Sequence, residues 1–305
     1  MIGSLTSISS AQSIWSMLNQ YQLFLTLPLV GWYMSPELVT FISEFEFVTF
    51  SGNFIPFKNI FHKFYTWMDI PQSKNDLESI GLNSGSTLIN QLGVILLVLF
   101  IMVLHLIFVI LKWKILWKIE NTFWIKLFDK VDHFFTFSFY LRINVEIYLF
   151  TILSSFSEIG SFNNTNSAAN VLSFIFSLFF GTLSISSCIL VISHYAIYLK
   201  IPLTDLSKKF TELYSEIKDT KFNRFYSSIF MLRRTFIVWV IISDNFFSNT
   251  VALRVRSIAF TIIQLWALLF KCSLPFKELK DNIVEVVNDL ILFMISLTLT
   301  IWQDK

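Results

Sequence analysis

Asn282, Glu285, Asn288 and Asp289 stand three and four residues apart, so a helix would gather them into one polar stripe. The stripe opens an otherwise apolar run that ends at Trp302. Ionisable groups in such a run are costly to place in lipid, so the stripe must face protein or water. It is the leading candidate for functional polarity in the chain. Arg142 and Glu146, four residues apart, would share a helix face as a gating or ion-pathway pair, or as an interfacial ion pair that sets helix depth. Arg233 and Arg234 lie just inside another apolar segment, either as charges that sense voltage or lipid or as a positively charged anchor. His105, deep in a third, fits a helix–helix hydrogen bond. Covalent chemistry has no comparable signal. There is no HExxH helix, no GxSxG elbow and no GxxxxGK[ST] phosphate loop. The reading is therefore a non-enzymatic protein with no cofactor or metal.

The elements that must carry these groups are apolar. The chain of 305 residues is 54% hydrophobic and 14% charged, against about 25% charged in ordinary soluble domains. The run from Leu88 to Leu111 contains no Asp, Glu, Lys or Arg, over the roughly twenty residues a helix needs to cross a bilayer. The fold class that follows is all-α, a multi-pass transmembrane helical bundle of six to seven spans with interfacial amphipathic helices. The expected spans are Ile14–Met34, Leu88–Leu111, Ile143–Phe156, Ala168–Leu199, Ile229–Ile242, Ile258–Phe270 and Ile283–Trp302. Phe134 to Tyr140 would extend the third upstream. A net charge of +2 gives no field to recruit nucleic acid. Cys188 and Cys272 fall in or beside apolar segments and are expected as free thiols.

Lysine and arginine in short loops set orientation. Lys112, Lys114, Lys118, Lys126, Lys130 and Arg142 follow the second span, and Lys200, Lys208, Lys209, Lys218, Lys221 and Arg224 follow the fourth. Both loops are expected inside, with Lys271, Lys277 and Lys280 before the last span. The N-terminus is then cytoplasmic, in the plasma membrane or an endomembrane. Arg254 and Arg256 fall at the outer end of the sixth span, where they would snorkel to headgroups. Asn163-Asn164-Thr165 is a glycosylation sequon in an expected outer loop. Leu203, Leu206, Phe210, Leu213, Tyr214 and Ile217 recur at helical spacing among charges, which reads as an amphipathic helix on the inner leaflet. Trp113, Trp117, Trp124 and Phe128 mark a second interfacial stretch. Lys114, Lys118, Lys208 and Lys209 could meet anionic lipid headgroups there. Within the single domain 1–305, residues 1–86 hold a first span and an outer interfacial segment. Residues 87–225 form a sensor-like bundle with basic loops, and 226–305 the C-terminal spans.

The order of polar landmarks carries a resemblance. Trp15, Asn19 and Gln22 precede Leu27-Pro28-Leu29, and Asn90 and Gly93 start the second span. Arg142 and Glu146-Ile147-Tyr148-Leu149 follow, then Lys221-Phe222, Tyr226 and Leu232-Arg233-Arg234. Gln264 and Pro275-Phe276-Lys277 lead to Asn282, Glu285, Asn288 and Asp289. This series resembles the TRP-like transmembrane region of polycystin-like and flavin-carrier-like proteins, closest to the C-terminal membrane domain of large ciliate surface proteins. The resemblance implies an ion-channel-derived bundle that assembles as a homo-oligomer. The Arg142 and Arg233 spans would be sensor-like, and the Asn282–Asp289 helix would open the pore unit. It also implies a large extracellular portion before the membrane region and a further helix after Trp302, so the expectation is a domain without its last helix. Two alternatives stand beside it. One is a non-conducting anchor or receptor with chemoreceptor-like topology. The other is a transporter, although no related halves with paired broken helices stand out.

Overall fold

The computed structural model describes residues 18–32, 34–44, 62–68, 82, 84–116, 139–161, 167–198, 217, 218, 220, 222–243 and 250–302. Among them the regular structure is helical, with one isolated backbone bridge between Ile217 and Phe276. We name the helices in chain order: α1 (residues 18–25), α2 (Pro36–Ser43), α3 (His62–Met68), α4 (Thr87–Asn90), α5 (Leu92–Leu116), α6 (Phe139–Ser161), α7 (Ala168–Tyr198), α8 (Tyr226–Ile242), α9 (Thr250–Lys271) and α10 (Leu279–Trp302).

Four of these contain a stretch long and apolar enough to cross a membrane: Leu92–Trp113, Ala168–Ser193, Val251–Lys271 and Leu279–Trp302. That is fewer than the six to seven expected, and the reasons are local. In the first expected span, Ile14–Met34, α1 gives way to a short 3-10 helix, Leu27–Val30, with Pro28 in its first turn. Proline has no N–H to continue the ladder. Gly31 then turns the chain with φ +89°, a conformation glycine adopts without strain. In α6 the apolar stretch, Ile147–Gly160, is too short by itself. Helix α8 has 17 residues and carries Arg233 and Arg234. The second expected span breaks near its start: Gln91 separates α4 from α5. The sixth extends past its expected start, to Thr250.

Helix α8 is the hub. It packs on α6, α7, α9 and the 3-10 helix, while α9 and α10 form the most extensive helix pair and α6 and α7 the next. The main core lies where these meet. Leu25, Leu27, Val30, Ile42, Tyr148, Leu149, Leu153, Met231, Ile237, Phe260 and Leu292 pack together there, with the Trp32 ring edge-on to Phe260 at 5.3 Å. A smaller core joins α3, α4 and α7 through Met68, Leu88, Ile89 and Ala169. Outside the core, α5 and α10 present apolar surface. On α5, Phe100, Val103, Leu106, Ile107 and Ile110 are exposed, and so are Ile283, Val287, Leu290 and Met294 on α10. Contiguous exposure of this kind marks an interaction surface, and on helices of this length and composition the fitting environment is lipid.

Short α2 starts at a Ser35 cap whose hydroxyl accepts the Leu38 N–H at 3.3 Å. Backbone and Ser35 hydrogen bonds to the exposed Glu37 carboxylate hold its pKa below the usual range. The α9–α10 turn is clipped to the segment before α8, where the Lys218 N–H donates to the Pro275 carbonyl at 2.8 Å. Leu274 in that turn has φ +54°, which is strained for a residue with a side chain.

Candidate functional site

The stripe on α10 does not act as one unit. At its first position Asn282 closes the turn before the helix. It receives the Phe276 N–H at 2.9 Å, and its Nδ2 donates to the Phe276 carbonyl at 2.7 Å and to Glu278 O at 2.8 Å. Asn288, about 100° around the helix from its neighbour Asp289, lines a cleft against α1. Glu285 and Asp289, four residues apart, face the interior.

Asp289 is fully buried. Its Oδ1 receives Arg233 Nη1 at 2.9 Å and Gln20 Nε2 at 2.9 Å, and its Oδ2 lies 3.0 Å from Lys271 Nζ. Lys271 Nζ also pairs with Glu285. Arg233 turns its Nε and Nη2 onto Gln264 Oε1 of α9, with the Nε contact at 3.1 Å. Two cations and two carboxylates thus balance at the junction of α1, α8, α9 and α10. Side-chain direction brings them together. Helical side chains tilt toward their own N-terminus, so Lys271, last on α9, reaches back along its helix toward Asp289. Gln264 Nε2 is buried with no hydrogen-bond partner among the described residues.

Arg234 points the other way. Its neighbour Arg233 lies about 100° around α8, so Arg234 faces α1 and α6. Its Nη1 donates to the Val145 carbonyl at 2.7 Å, and its Nη2 donates to Asn19 and to Gln22 Oε1, the latter at 2.9 Å. The guanidinium also lies 4.0 Å from the Phe230 ring centroid. Arg233 and Arg234, expected as sensing charges or as a positively charged anchor, are both buried and hydrogen-bonded to protein groups.

A second buried polar cluster went unforeseen. The Glu158 carboxylate of α6 caps α4, with Oε2 accepting the Thr87 N–H at 2.7 Å and the Ser173 hydroxyl of α7 at 2.9 Å. Ser86 and Ser173 hydroxyls stand 2.8 Å apart. Gln91 bridges to α6 by donating to Ser154 Oγ at 3.1 Å and accepting from Thr151 Oγ1 at 3.0 Å. Asn90 closes on Ser84 as Asn282 closes on Phe276: Nδ2 donates to the Ser84 carbonyl at 2.7 Å, and the Ser84 N–H lies 3.4 Å from Oδ1. The available signal was a lone acid in the serine-rich run Ser154, Ser155, Ser157, Glu158 inside an apolar helix.

The other expected groups divide. Arg142 and Glu146 fall on α6, and Lys114 on α5, but their side chains lie outside the described residues. So do Lys118, Asn163, Lys208 and Lys209, and the amphipathic helix apart from Ile217. Arg256, expected to snorkel, is buried against the Gly31 turn instead, while Arg254 is exposed. Cys188 is buried, and Cys272 is exposed in the turn after α9. No group of three or more histidines, cysteines or acids suited to a metal ion occurs among the described residues. No protein-family model matches this chain, and neither a curated protein nor a solved structure does.

Proposed function

We propose that the chain is a channel-derived, TRP-like transmembrane domain of six to seven spans. In it the Arg233, Asp289, Lys271 and Glu285 cluster latches the α9–α10 hairpin to the bundle of α6, α7 and α8. The observation that carries this reading is the buried Arg233–Asp289 ion pair, which joins α8 to a helix long and apolar enough to span a membrane. A buried pair tends to have two states, made or broken, because a half-broken one strands a charge in a low dielectric. Two-state elements of this kind convert a shift of one helix into a shift of another. Voltage or an anionic lipid acting near α8 would then be felt by α10. In this scheme the N-terminus is cytoplasmic, the basic loops with Lys114, Lys118, Lys208 and Lys209 meet lipid headgroups, and copies assemble into a homo-oligomer.

The second reading is a non-conducting membrane anchor or receptor domain. It is favoured by the burial of Glu285 and Asp289 against protein within a single chain, where a pore lining would meet water. Planar-bilayer recording from the purified chain separates the two. The channel reading expects ion flux from the native protein, altered gating in Asp289→Arg, and native gating restored by Arg233→Asp combined with Asp289→Arg. A folded native protein that stays silent under both voltage and tension overturns that reading and leaves the anchor.

A further inference from the structure

The cleft beside the latch has the form of a ligand site. It encloses about 290 Å³ between α1, α2 and α10, lined by Gln20, Tyr21, Phe24, Phe41, Asn288, Ile291, Leu292 and Ile295. That volume is near the lower edge of small-molecule sites, roughly 300–1,000 Å³. It suits one acyl chain or a compact ring system, and is too small for a two-chain phospholipid. The chemistry of its wall is graded. The Gln20 and Asn288 carboxamides supply polar groups. One helical turn further along, Phe24, Ile291, Leu292 and Ile295 are apolar, and Phe41 closes over Phe24 edge-on at 6.5 Å.

The gradient has no formal charge, since none of the lining side chains is a Lys, Arg, Asp or Glu. A carboxamide both donates and accepts, and so it matches a hydroxyl. No hydrogen bond from a described residue occupies Asn288. Gln20 spends one N–H on Asp289 Oδ1, and no described residue donates to its carbonyl oxygen. Ile291 and Phe41 at the rim are more than half exposed, so the cleft opens toward the surface read here as lipid-facing. From this geometry we infer that the cleft binds an uncharged membrane amphiphile with a single hydroxyl head, the head between Gln20 and Asn288 and the apolar body along Phe24 and Ile295. Because Gln20 shares Asp289 with Arg233, an occupant that draws on Gln20 acts directly on the latch.

The inference rests on the membrane reading of α10 and is independent of conduction. The test uses the full chain in phosphatidylcholine nanodiscs with a diazirine-bearing hexadecanol as the probe. Cross-linked peptides should map to α1 and α10 around Tyr21, Phe24 and Ile295. Unlabelled hexadecanol should compete, while hexadecane and palmitate should not. Filling the cleft with Ile295→Trp should abolish the mapped labelling. Asn288→Leu should weaken apparent affinity about tenfold, the effect of losing one buried hydrogen bond. Labelling that spreads over exposed α5 and ignores Ile295→Trp overturns the site, and equal competition by palmitate overturns the uncharged head. A chain that fails to float with vesicles would refute the membrane reading, separately from a chain that floats but is not labelled at the cleft.

Discussion

The buried polar clusters around Asp289 and Glu158 are built from different chemistry. The latch around Asp289 sets full charges against full charges on three consecutive helices, α8, α9 and α10, with Arg233, Lys271 and Glu285 all buried. The cluster around Glu158 of α6 sets one carboxylate against a backbone N–H of α4 and a hydroxyl of α7. Charged clusters are brittle, because loss of one member strands its partner, and they can separate into two defined states. Removing Glu158 from its cluster leaves only neutral N–H and hydroxyl groups behind, which costs less. Movement belongs where the charges are. The α4–α6–α7 corner has the makings of a fixed frame, and the α8–α10 seam those of a switch.

Four substitutions test that contrast. Asp289→Ala leaves Arg233 without a buried counter-charge, while Lys271 keeps Glu285, and should cost about 3–5 kcal/mol. It would be read as a lower thermal midpoint in detergent, and largely recovered when Arg233→Met is added, since Lys271 and Glu285 remain paired. Glu158→Ala leaves the Thr87 N–H and the Ser173 hydroxyl without their acceptor and should cost about 1–3 kcal/mol. Glu158→Gln should restore most of that, because a carboxamide oxygen still accepts. Equal losses for Asp289→Ala and Glu158→Ala would erase the distinction between switch and frame. The smallest effect belongs to the two asparagine clasps. Asn282→Ala and Asn90→Ala should each cost about 1 kcal/mol, and their losses should add because the clasps share no residue. Only Asn282→Ala should speed thiol labelling of Cys272, which lies in the turn that this clasp closes.

Much of the fold was legible because hydrophobic length and helical period are local properties. The run from Ala168 matches α7 to within a residue at its C-terminal end, and of the stripe Asn282, Glu285, Asn288 and Asp289 all but Asn288, which lines the cleft, are buried. Partners across helices were not legible. Lys271 reads as a loop charge that orients the last span, yet its side chain runs back into the interior. Gln20 reads as an interruption of the first span, yet it donates to Asp289 from 269 residues away. Helix breaks were only partly readable. Pro28 and Gly31 are visible as breakers, whereas nothing about Gln91 announces a break.

The sequence by itself determined that the chain is helical and rich in segments fitted to lipid, since apolar length and the absence of charge act residue by residue. It also determined which polar residues would be expensive to bury. Only the tertiary structure decided how that expense is met: Arg233 against Asp289, Arg234 against the Val145 carbonyl, and Glu158 against the start of α4. The physical reason is that desolvation belongs to one residue, while the charge or hydrogen bond that offsets it belongs to a pair. Which pairs form depends on helices brought together from distant parts of the chain.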